Sequence, residues 1–282
     1  MIERIAKDIK NLTFRFNDDD VLALASQLAY SLIFSFFPFL IFLMTLVGYS
    51  PISSGEVLVG LNKILPTNVL ELVHNTVVEV VDGRNSHLLS LSLLATIWSA
   101  SSGFNAVIKG LNKAYDESED RSVFKVQFIA IMCTFGVTFI VILTMILLVF
   151  GQILGVYLAK QFGYSFMFQR FWNIVRYTVM FLTTIFIFAA LYHYTPSRRL
   201  TWKEVMPGAV FSAIGLVGVS VGFAYYVNNF GNYSKVYGSI GAVIILLTWL
   251  FFLSVMIIMG GELNATLAFD REGKVKPKGK KF

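Results

Sequence analysis

Six long stretches of this sequence contain no Asp, Glu, Lys or Arg, and the charged residues gather between them. A helix that crosses the roughly 30 Å hydrocarbon core of a bilayer needs about 20 mostly apolar residues. The stretches do not alternate apolar and polar residues as the strands of a membrane barrel do. The pattern predicts an all-α integral membrane protein, a bundle of six transmembrane helices. Their predicted positions are residues 28–49, 86–108, 126–155, 174–195, 205–228 and 238–269.

The composition agrees with a chain that is surrounded by lipid. Hydrophobic residues make up 56% of the 282 residues and charged residues only 14%, whereas a typical soluble domain carries about 25% charged residues. So few charges could not cover a water-facing surface of this size. The single cysteine, Cys133, lies in an apolar run, so an intrachain disulfide is excluded.

The distribution of Lys and Arg predicts the orientation. The N-terminal segment, the second and fourth loops and the C-terminal tail hold 17 of these residues, and the other three loops hold 5. Because basic loops stay in the cytoplasm, both termini are predicted inside. Residues 1–20 then form a cytoplasmic segment, residues 21–269 the membrane domain and residues 270–282 a basic cytoplasmic tail. The net charge of +6 suits anionic lipid head groups.

The first extracytoplasmic loop, residues 56–83, carries two sets of apolar positions at helical spacing, separated by Pro66. The two sets are Val57, Leu61, Ile64 and Leu65, then Leu70, Val73, Val77 and Val80. We predict two short amphipathic helices here. They either pack onto the transmembrane bundle or lie in the membrane interface.

Polar residues follow one face of the first span. Gln27, Ser31 and Ser35 recur every four residues, and Pro38 follows them. Lipid cannot satisfy such groups, so they face other helices or water. Pro38 frees a backbone carbonyl and is expected to kink the helix. The stripe indicates either hydrogen bonds between helices or the wall of a transport cavity that includes Gln27 and Ser31.

The second span ends in a polar segment that contains Gly103 and Asn105. Glycine allows a helix to break, and a broken half-helix can present its peptide dipoles to a substrate, with Asn105 beside it. Small residues equally allow close helix packing without a break, so both interpretations stay open. Other candidate positions for a kink or for close packing are Gly208, Gly238 and Gly241.

Glu262 is an acidic residue within the sixth span, in a helix expected to continue to about Phe269. A charge at this depth needs a cation or water. Lys109 and Arg198, on the same predicted side of the membrane, are candidate ion-pair partners, and Asn264 is a further candidate cavity residue. The acid serves either transport and conformational change or a structural ion pair.

The residue clusters and motifs that metal and nucleotide chemistry require are missing from the sequence. Its three histidines are widely separated, and no His-x-His or Asp-x-Asp cluster occurs outside the run of aspartates at residues 18–20. Residues 18–20 are three consecutive aspartates, whose side chains would point apart on a helix, so an acidic helix N-cap is the simpler role. No phosphate-binding Gly-x-x-x-x-Gly-Lys loop is present. We therefore expect no metal, no cofactor and no enzymatic activity, ribonuclease activity included.

A series of short motifs runs from roughly Asp20 to Phe269. They are Ala25-Ser26-Gln27-Leu28-Ala29-Tyr30-Ser31, Phe36-Phe37-Pro38, Trp98-Ser99-Ala100, Leu111-Asn112-Lys113-Ala114-Tyr115, Pro196 with Trp202, Pro207-Gly208-Ala209, Tyr237-Gly238-Ser239-Ile240-Gly241 and Gly261-Glu262-Leu263-Asn264-Ala265. In this order they resemble the YihY/BrkB family, which implies a multi-pass protein of the bacterial cytoplasmic membrane. The family has carried a ribonuclease BN label, names linked to virulence and suggestions of lipid or solute export, so the resemblance does not settle the activity.

Two functions stay open on these observations. The first is a transporter or flippase-like protein for a lipid or amphipathic solute, favoured by the polar face of the first span, the second span and Glu262. The second is a non-transporting protein that organises the membrane or maintains the envelope through partners. Membrane lipids, anionic ones included, are the expected partners and nucleic acid is not. Protein partners and a homo-oligomer are left open.

Overall fold

The computed structural model of the chain describes residues 12–48, 54–62, 74–75, 77–79, 81–83, 86–136, 138–140, 166–230 and 240–273. Every regular element in these ranges is helical. The helices are α1 (residues 12–18), α2 (Val21–Gly48), α3 (Ser54–Asn62), α4 (Ser86–Ala114), α5 (Val123–Ile140), α6 (Phe166–Tyr194), α7 (Trp202–Phe230) and α8 (Ile240–Glu272).

Five helices of the described chain are long and apolar enough to cross a membrane. They are Ser90–Ala114, Val123–Ile140, Arg170–Tyr194, Trp202–Val227 and Val243–Glu272. α2 adds a shorter apolar helix, Val21–Ser35. The prediction of a helical membrane protein is thereby confirmed, whereas the count of six spans and the side on which the termini lie stay predictions.

The second predicted span is not broken, because α4 runs without interruption through Gly103. A glycine inside a helix costs only about 1 kcal/mol relative to alanine, so Gly103 does not have to break α4. A Cβ atom built on Gly103 would lie 3.7 Å from the Cβ atom of Ser31 on α2. α2 likewise continues past Pro38 to Gly48.

The ends of two helices are fixed by local hydrogen bonds. At the end of α4, Asp116 adopts a left-handed conformation with a φ of 54°. Its N–H donates to the Lys113 carbonyl, and the Glu117 N–H donates to the Asn112 carbonyl at 3.0 Å. These two bonds form a Schellman motif, which satisfies the last carbonyls of the helix.

α7 begins with a carboxylate at its N-terminus. Glu204 Oε2 accepts both the backbone N–H of Thr201 at 2.7 Å and its hydroxyl at 2.8 Å. A glutamate three residues after a threonine is the sequence pattern of a capping box, and its negative charge is stabilised by the helix dipole.

The first extracytoplasmic loop of the prediction, residues 56–83, is described in part. α3 coincides with the first expected amphipathic helix, and helical residues recur at 74–75, 77–79 and 81–83. Val77 and Val81 are buried, and Ser54 Oγ donates to Asp82 Oδ2 at 2.9 Å. Packing against the protein is thus the interpretation that these positions support. The rest of the loop and the basic tail beyond residue 273 lie outside the described residues.

The chain divides into two compact units. Unit 1 consists of Met1–Asp19, Ile108–Gly215 and Ile257–Phe282, and unit 2 of Asp20–Val107 and Leu216–Met256. Unit 1 therefore contains α1, α5, α6, the start of α7 and the end of α8. Unit 2 contains α2, α3, most of α4, the end of α7 and the start of α8. The site described below belongs to unit 1.

Candidate functional site

Two glycines allow α7 and α8 to approach each other closely in unit 1. A Cβ atom on Gly208 would overlap the carbonyl oxygen of Gly260 and would lie 2.6 Å from Cγ of Asn264. A Cβ atom on Gly260 would overlap Ser212 Oγ and the hydroxyl of Tyr192. Small residues at helix contacts are typical of membrane proteins, because close backbone approach increases van der Waals packing.

Tyr192, from α6, reaches into the same contact with its hydroxyl. The side chain is fully buried. Its oxygen lies 2.6 Å from Ser212 Oγ on α7, and its O–H donates to the Ile257 carbonyl on α8 at 2.7 Å. One side chain thus ties three helices together, and its polar atom is satisfied, as a buried hydroxyl requires.

Asn264 on α8 binds the backbone of α7 through both ends of its amide. Its Oδ1 accepts the N–H of Gly208 at 2.7 Å, and its Nδ2 donates to the Val205 carbonyl at 3.1 Å. The side chain is 1% exposed. A side-chain amide with both groups engaged is worth about 1 kcal/mol per hydrogen bond, and more is lost when one partner is left alone.

Glu262 lies one helical turn before Thr266, whose hydroxyl donates to the Glu262 carbonyl. The Glu262 side chain is completely buried. Arg15 of α1 approaches it, with Nη1 3.6 Å from Oε2. Nη1 also donates to the Ala114 carbonyl at the end of α4 at 2.9 Å, and the guanidinium lies 4.7 Å from the centre of the Phe269 ring. Arg15 therefore connects α1 to the ends of α4 and α8.

The sequence suggested two other cations, Arg198 and Lys109, as partners of Glu262. Arg198 forms an ion pair with Glu272, and its guanidinium stands 5.7 Å from the Tyr115 ring and 6.0 Å from the Phe269 ring. Lys109 is exposed. The structure places Arg15, which the sequence did not suggest, next to Glu262, and the pairing of Arg198 or Lys109 with Glu262 stays a prediction.

A hydrogen-bonded network joins the segment after α4 to the segment after α6. The amide of Asn112 donates to Glu119 at 2.8 Å and accepts the N–H of Ser197 at 2.8 Å. Arg121 donates to Glu119 at 2.6 Å and to the Thr195 carbonyl at 2.9 Å. The hydrogen bonds from Arg121 lower the pKa of Glu119 from 4.5 to about 2. The sequence alone indicated no individual role for Arg121 or Asn112. Arg121 is one of several basic residues in its loop, and Asn112 is one residue of the motif from Leu111 to Tyr115.

The remaining candidate cavity residues belong to unit 2. On α2, Gln27 is exposed, and the hydroxyl of Ser31 donates to the Gln27 carbonyl at 3.0 Å. Ser35 is buried and donates to the Leu32 carbonyl. Asn105 on α4 is half-buried. These hydroxyls thus bond within their own helix, and Gln27 is the member of the stripe that is open to its surroundings.

The glycines and the proline named from the sequence have different surroundings. Pro38 is half-buried and Gly241 is buried near the start of α8. Gly238 lies outside the described residues. Among the residues that the structure describes, no group of three or more His, Cys, Asp or Glu side chains could hold a metal ion.

Comparison with known proteins gives the family. The family described as Virulence factor BrkB matches residues 12–281. This chain belongs to the BrkB family. A protein of Bacillus subtilis (strain 168) named ribonuclease-like protein YfkH is 39% identical over 92% of this chain and 94% of its own length. A UPF0761 membrane protein of Aggregatibacter aphrophilus is 23% identical, with coverage of 93% and 92%.

A further relative confirms that the likeness covers nearly the whole chain. A UPF0761 membrane protein of Alteromonas mediterranea is 25% identical over 92% of this chain and 87% of its own length. No solved structure matches the chain. The resemblance drawn from the sequence motifs is thus confirmed, and the BrkB chain is a membrane protein with helical spans.

Proposed function

We propose that this BrkB-family protein moves a lipid or an amphipathic solute across the membrane, and that the pair formed by Arg15 and Glu262 controls its conformational cycle. The observation that carries the proposal is the burial of Glu262 next to a cation from another helix. Ionisable residues within membrane helices are costly, and they mark substrate pathways and conformational switches more often than not.

The geometry of the pair supports a contact that can open. At 3.6 Å, the two charged atoms are farther apart than a hydrogen bond of 2.7–3.2 Å would place them. The ion pair is thus weaker than one with direct hydrogen bonds, and Arg15 is held as well by the Ala114 carbonyl and the Phe269 ring. α1 precedes the first membrane helix, so a movement of α1 separates the charges without breaking a membrane helix.

A lipid-scrambling assay tests the proposal. The purified full chain is reconstituted into liposomes that contain fluorescent phospholipid, and dye reduction from outside reports the lipid that crosses. We expect movement with the unaltered protein and a rate lowered roughly tenfold or more in Glu262→Gln, since a change of about 1.4 kcal/mol in the conformational equilibrium suffices for that. Glu272→Gln, which removes the partner of Arg198 at the exposed end of α8, is the matched control and should keep the rate.

Two results would contradict the proposal. The first is the absence of lipid movement in liposomes that contain the folded, unaltered protein. The second is an equal rate in the unaltered protein and in Glu262→Gln.

A second candidate function is a membrane organiser that acts through partners. The dense contact at Gly208, Gly260 and Asn264 favours it, since the polar groups there are hydrogen-bonded within unit 1. The two functions differ in what Glu262→Gln does. An organiser loses assembly or stability in this variant, and its liposomes pass no lipid with or without the substitution.

A further inference from the structure

The sequence between Asp120 and Glu204 contains no acidic residue, although it spans α5, α6 and the segment between them. Arginine and lysine do occur there. Arg170 and Arg176 lie in the first turns of α6, and Lys160 precedes that helix. The chain near the start of α6 therefore supplies positive charge without any negative charge close in sequence to balance it.

Arg176 lies within a helix that is long and apolar enough to cross the membrane, in the range Arg170–Tyr194. It is half-buried, and its guanidinium stands 5.5 Å from the centre of the Tyr177 ring. Its Nε is buried and makes no hydrogen bond within the part of the chain that the structure describes. An arginine in a membrane helix needs an anion or water, because hydrocarbon cannot solvate its charge.

Polar residues near Arg176 are exposed on the same part of α6. Arg170, Asn173 and Tyr177 are three and four residues apart, so they share one face of α6, and all three are exposed. Arg170 and Arg176 are separated by roughly 9 Å along the axis, from a rise of about 1.5 Å per residue. Arginine side chains are long and flexible, so guanidinium groups this far apart along the helix can converge, together with the amide of Asn173, on one phosphodiester group.

We propose that Arg170, Asn173 and Arg176 bind the phosphate of an anionic membrane lipid at the start of α6. Arginine is suited to this ligand because its planar fork can donate two parallel hydrogen bonds to phosphate oxygens. The apolar side chains on the same turns, Phe171 and Ile174, are 62% and 59% exposed. Their exposure suits contact with lipid, and Tyr177 adds a residue type that is enriched at the level of the head groups. This site is independent of whether the protein moves lipid.

Native mass spectrometry of the full chain in detergent tests the site. The protein is titrated with phosphatidylglycerol, with phosphatidylcholine as the uncharged reference, and the bound lipid is counted. We expect phosphatidylglycerol to bind in preference, and its apparent affinity to fall about tenfold in Arg176→Gln and further in the double variant with Arg170→Gln, since charge-assisted hydrogen bonds to phosphate are the strong ones. Arg199→Gln removes an exposed arginine at the other end of the same acid-free stretch and should bind as the unaltered protein does.

The outcomes separate the lipid from other anions. Displacement of the lipid by millimolar inorganic phosphate would show a general anion site and would overturn the assignment to lipid. Equal losses in Arg176→Gln and Arg199→Gln would overturn it as well, because the effect would then be one of net charge. If Arg176→Gln yields little folded protein, Arg170→Gln and Asn173→Leu, at exposed positions, test the same site. Unchanged binding in both contradicts the proposal.

Discussion

Asn264 accepts the backbone N–H of Gly208 at 2.7 Å, so a side chain of α8 is bonded directly to the main chain of α7. This contact requires that position 208 has no side chain, since a Cβ atom there would lie 2.6 Å from Cγ of Asn264. Pro207 precedes it and has no N–H of its own to donate. The hydrogen bond between the Gly208 N–H and the Asn264 amide therefore depends on glycine at position 208.

Removal of the Asn264 amide should destabilise unit 1. Asn264→Ala leaves the Gly208 N–H and the Val205 carbonyl without their side-chain partner in a buried place. We expect the free energy of unfolding to fall by about 1–3 kcal/mol for each such group. Unfolding in mixed micelles by titration with a denaturing detergent measures it. Asn229→Ala is the control, because Asn229 is exposed and its amide donates to the Tyr225 carbonyl one turn back on α7. Equal losses in the two variants would contradict the prediction.

Alanine should have opposite effects at two glycines of α7. In Gly208→Ala the new methyl group overlaps the Gly260 carbonyl, and overpacking of this kind costs about 1–3 kcal/mol or more. In Gly222→Ala the methyl group meets nothing within 4 Å, and helix propensity favours alanine by up to about 1 kcal/mol. The thermal midpoints of the two purified variants give the comparison. A Gly208→Ala variant as stable as Gly222→Ala would show that α7 and α8 are not in close contact.

A double-mutant cycle should detect the interaction between Arg15 and Glu262. Arg15→Gln removes a cation that faces a buried carboxylate, which costs about 3–5 kcal/mol in typical buried pairs. Glu262→Gln in the same background removes the carboxylate charge that Arg15→Gln leaves without its cation. We therefore expect the double variant to be more stable than the sum of the single losses predicts. Additive losses would mean that the two side chains do not interact.

The low pKa of Glu119 should make the network after α4 sensitive to acid. The pKa is about 2 in the folded chain, against an ordinary value of 4.5, because Arg121 donates hydrogen bonds to the carboxylate. A group with a lowered pKa contributes stability that is fully present above its ordinary pKa and is lost as the pH falls towards the folded value. The contribution of Glu119 is thus present above pH 4.5 and declines between pH 4.5 and about 2.

The measurement is the thermal midpoint as a function of pH. We expect Glu119→Gln to lower the midpoint at pH 7 and to flatten its decline in this acid window. Glu117→Gln removes a carboxylate two residues away and should decline as the unaltered protein does. If the Glu119→Gln and unaltered curves stay parallel down to pH 2, Glu119 does not stabilise the folded chain.

The helices were predictable because hydrophobic length is a strong signal. The boundaries of α7, at Trp202 and Phe230, differ little from the predicted range 205–228. α4 is longer than predicted, since the polar residues near Asn105 and Lys109 suggested an end that the helix does not have. Polar residues in a helix that packs against its neighbours are tolerated, and the Schellman motif at Asp116 marks the true end.

The candidate site was only partly predictable. Glu262 and Asn264 were recognisable because acidic and amide groups are rare at membrane depth. Arg15 was not, because it lies at the opposite end of the sequence and one sequence carries no signal for long-range pairing. Tyr192 was missed for another reason: a tyrosine in an aromatic-rich span looks like an interface residue, and only the packing of α6 shows that its hydroxyl is buried. The cavity and ion-pair roles assigned to individual side chains stay predictions.

Unit 1 is assembled from both ends of the chain, since it includes α1 and the last turns of α8. During synthesis Arg15 leaves the ribosome before α2, while Glu262 emerges after all of α2 to α7. The contact between them can form only after the end of α8 has been synthesised. A truncated product that lacks the end of α8 therefore cannot make this contact, and its Arg15 stays without the Glu262 carboxylate.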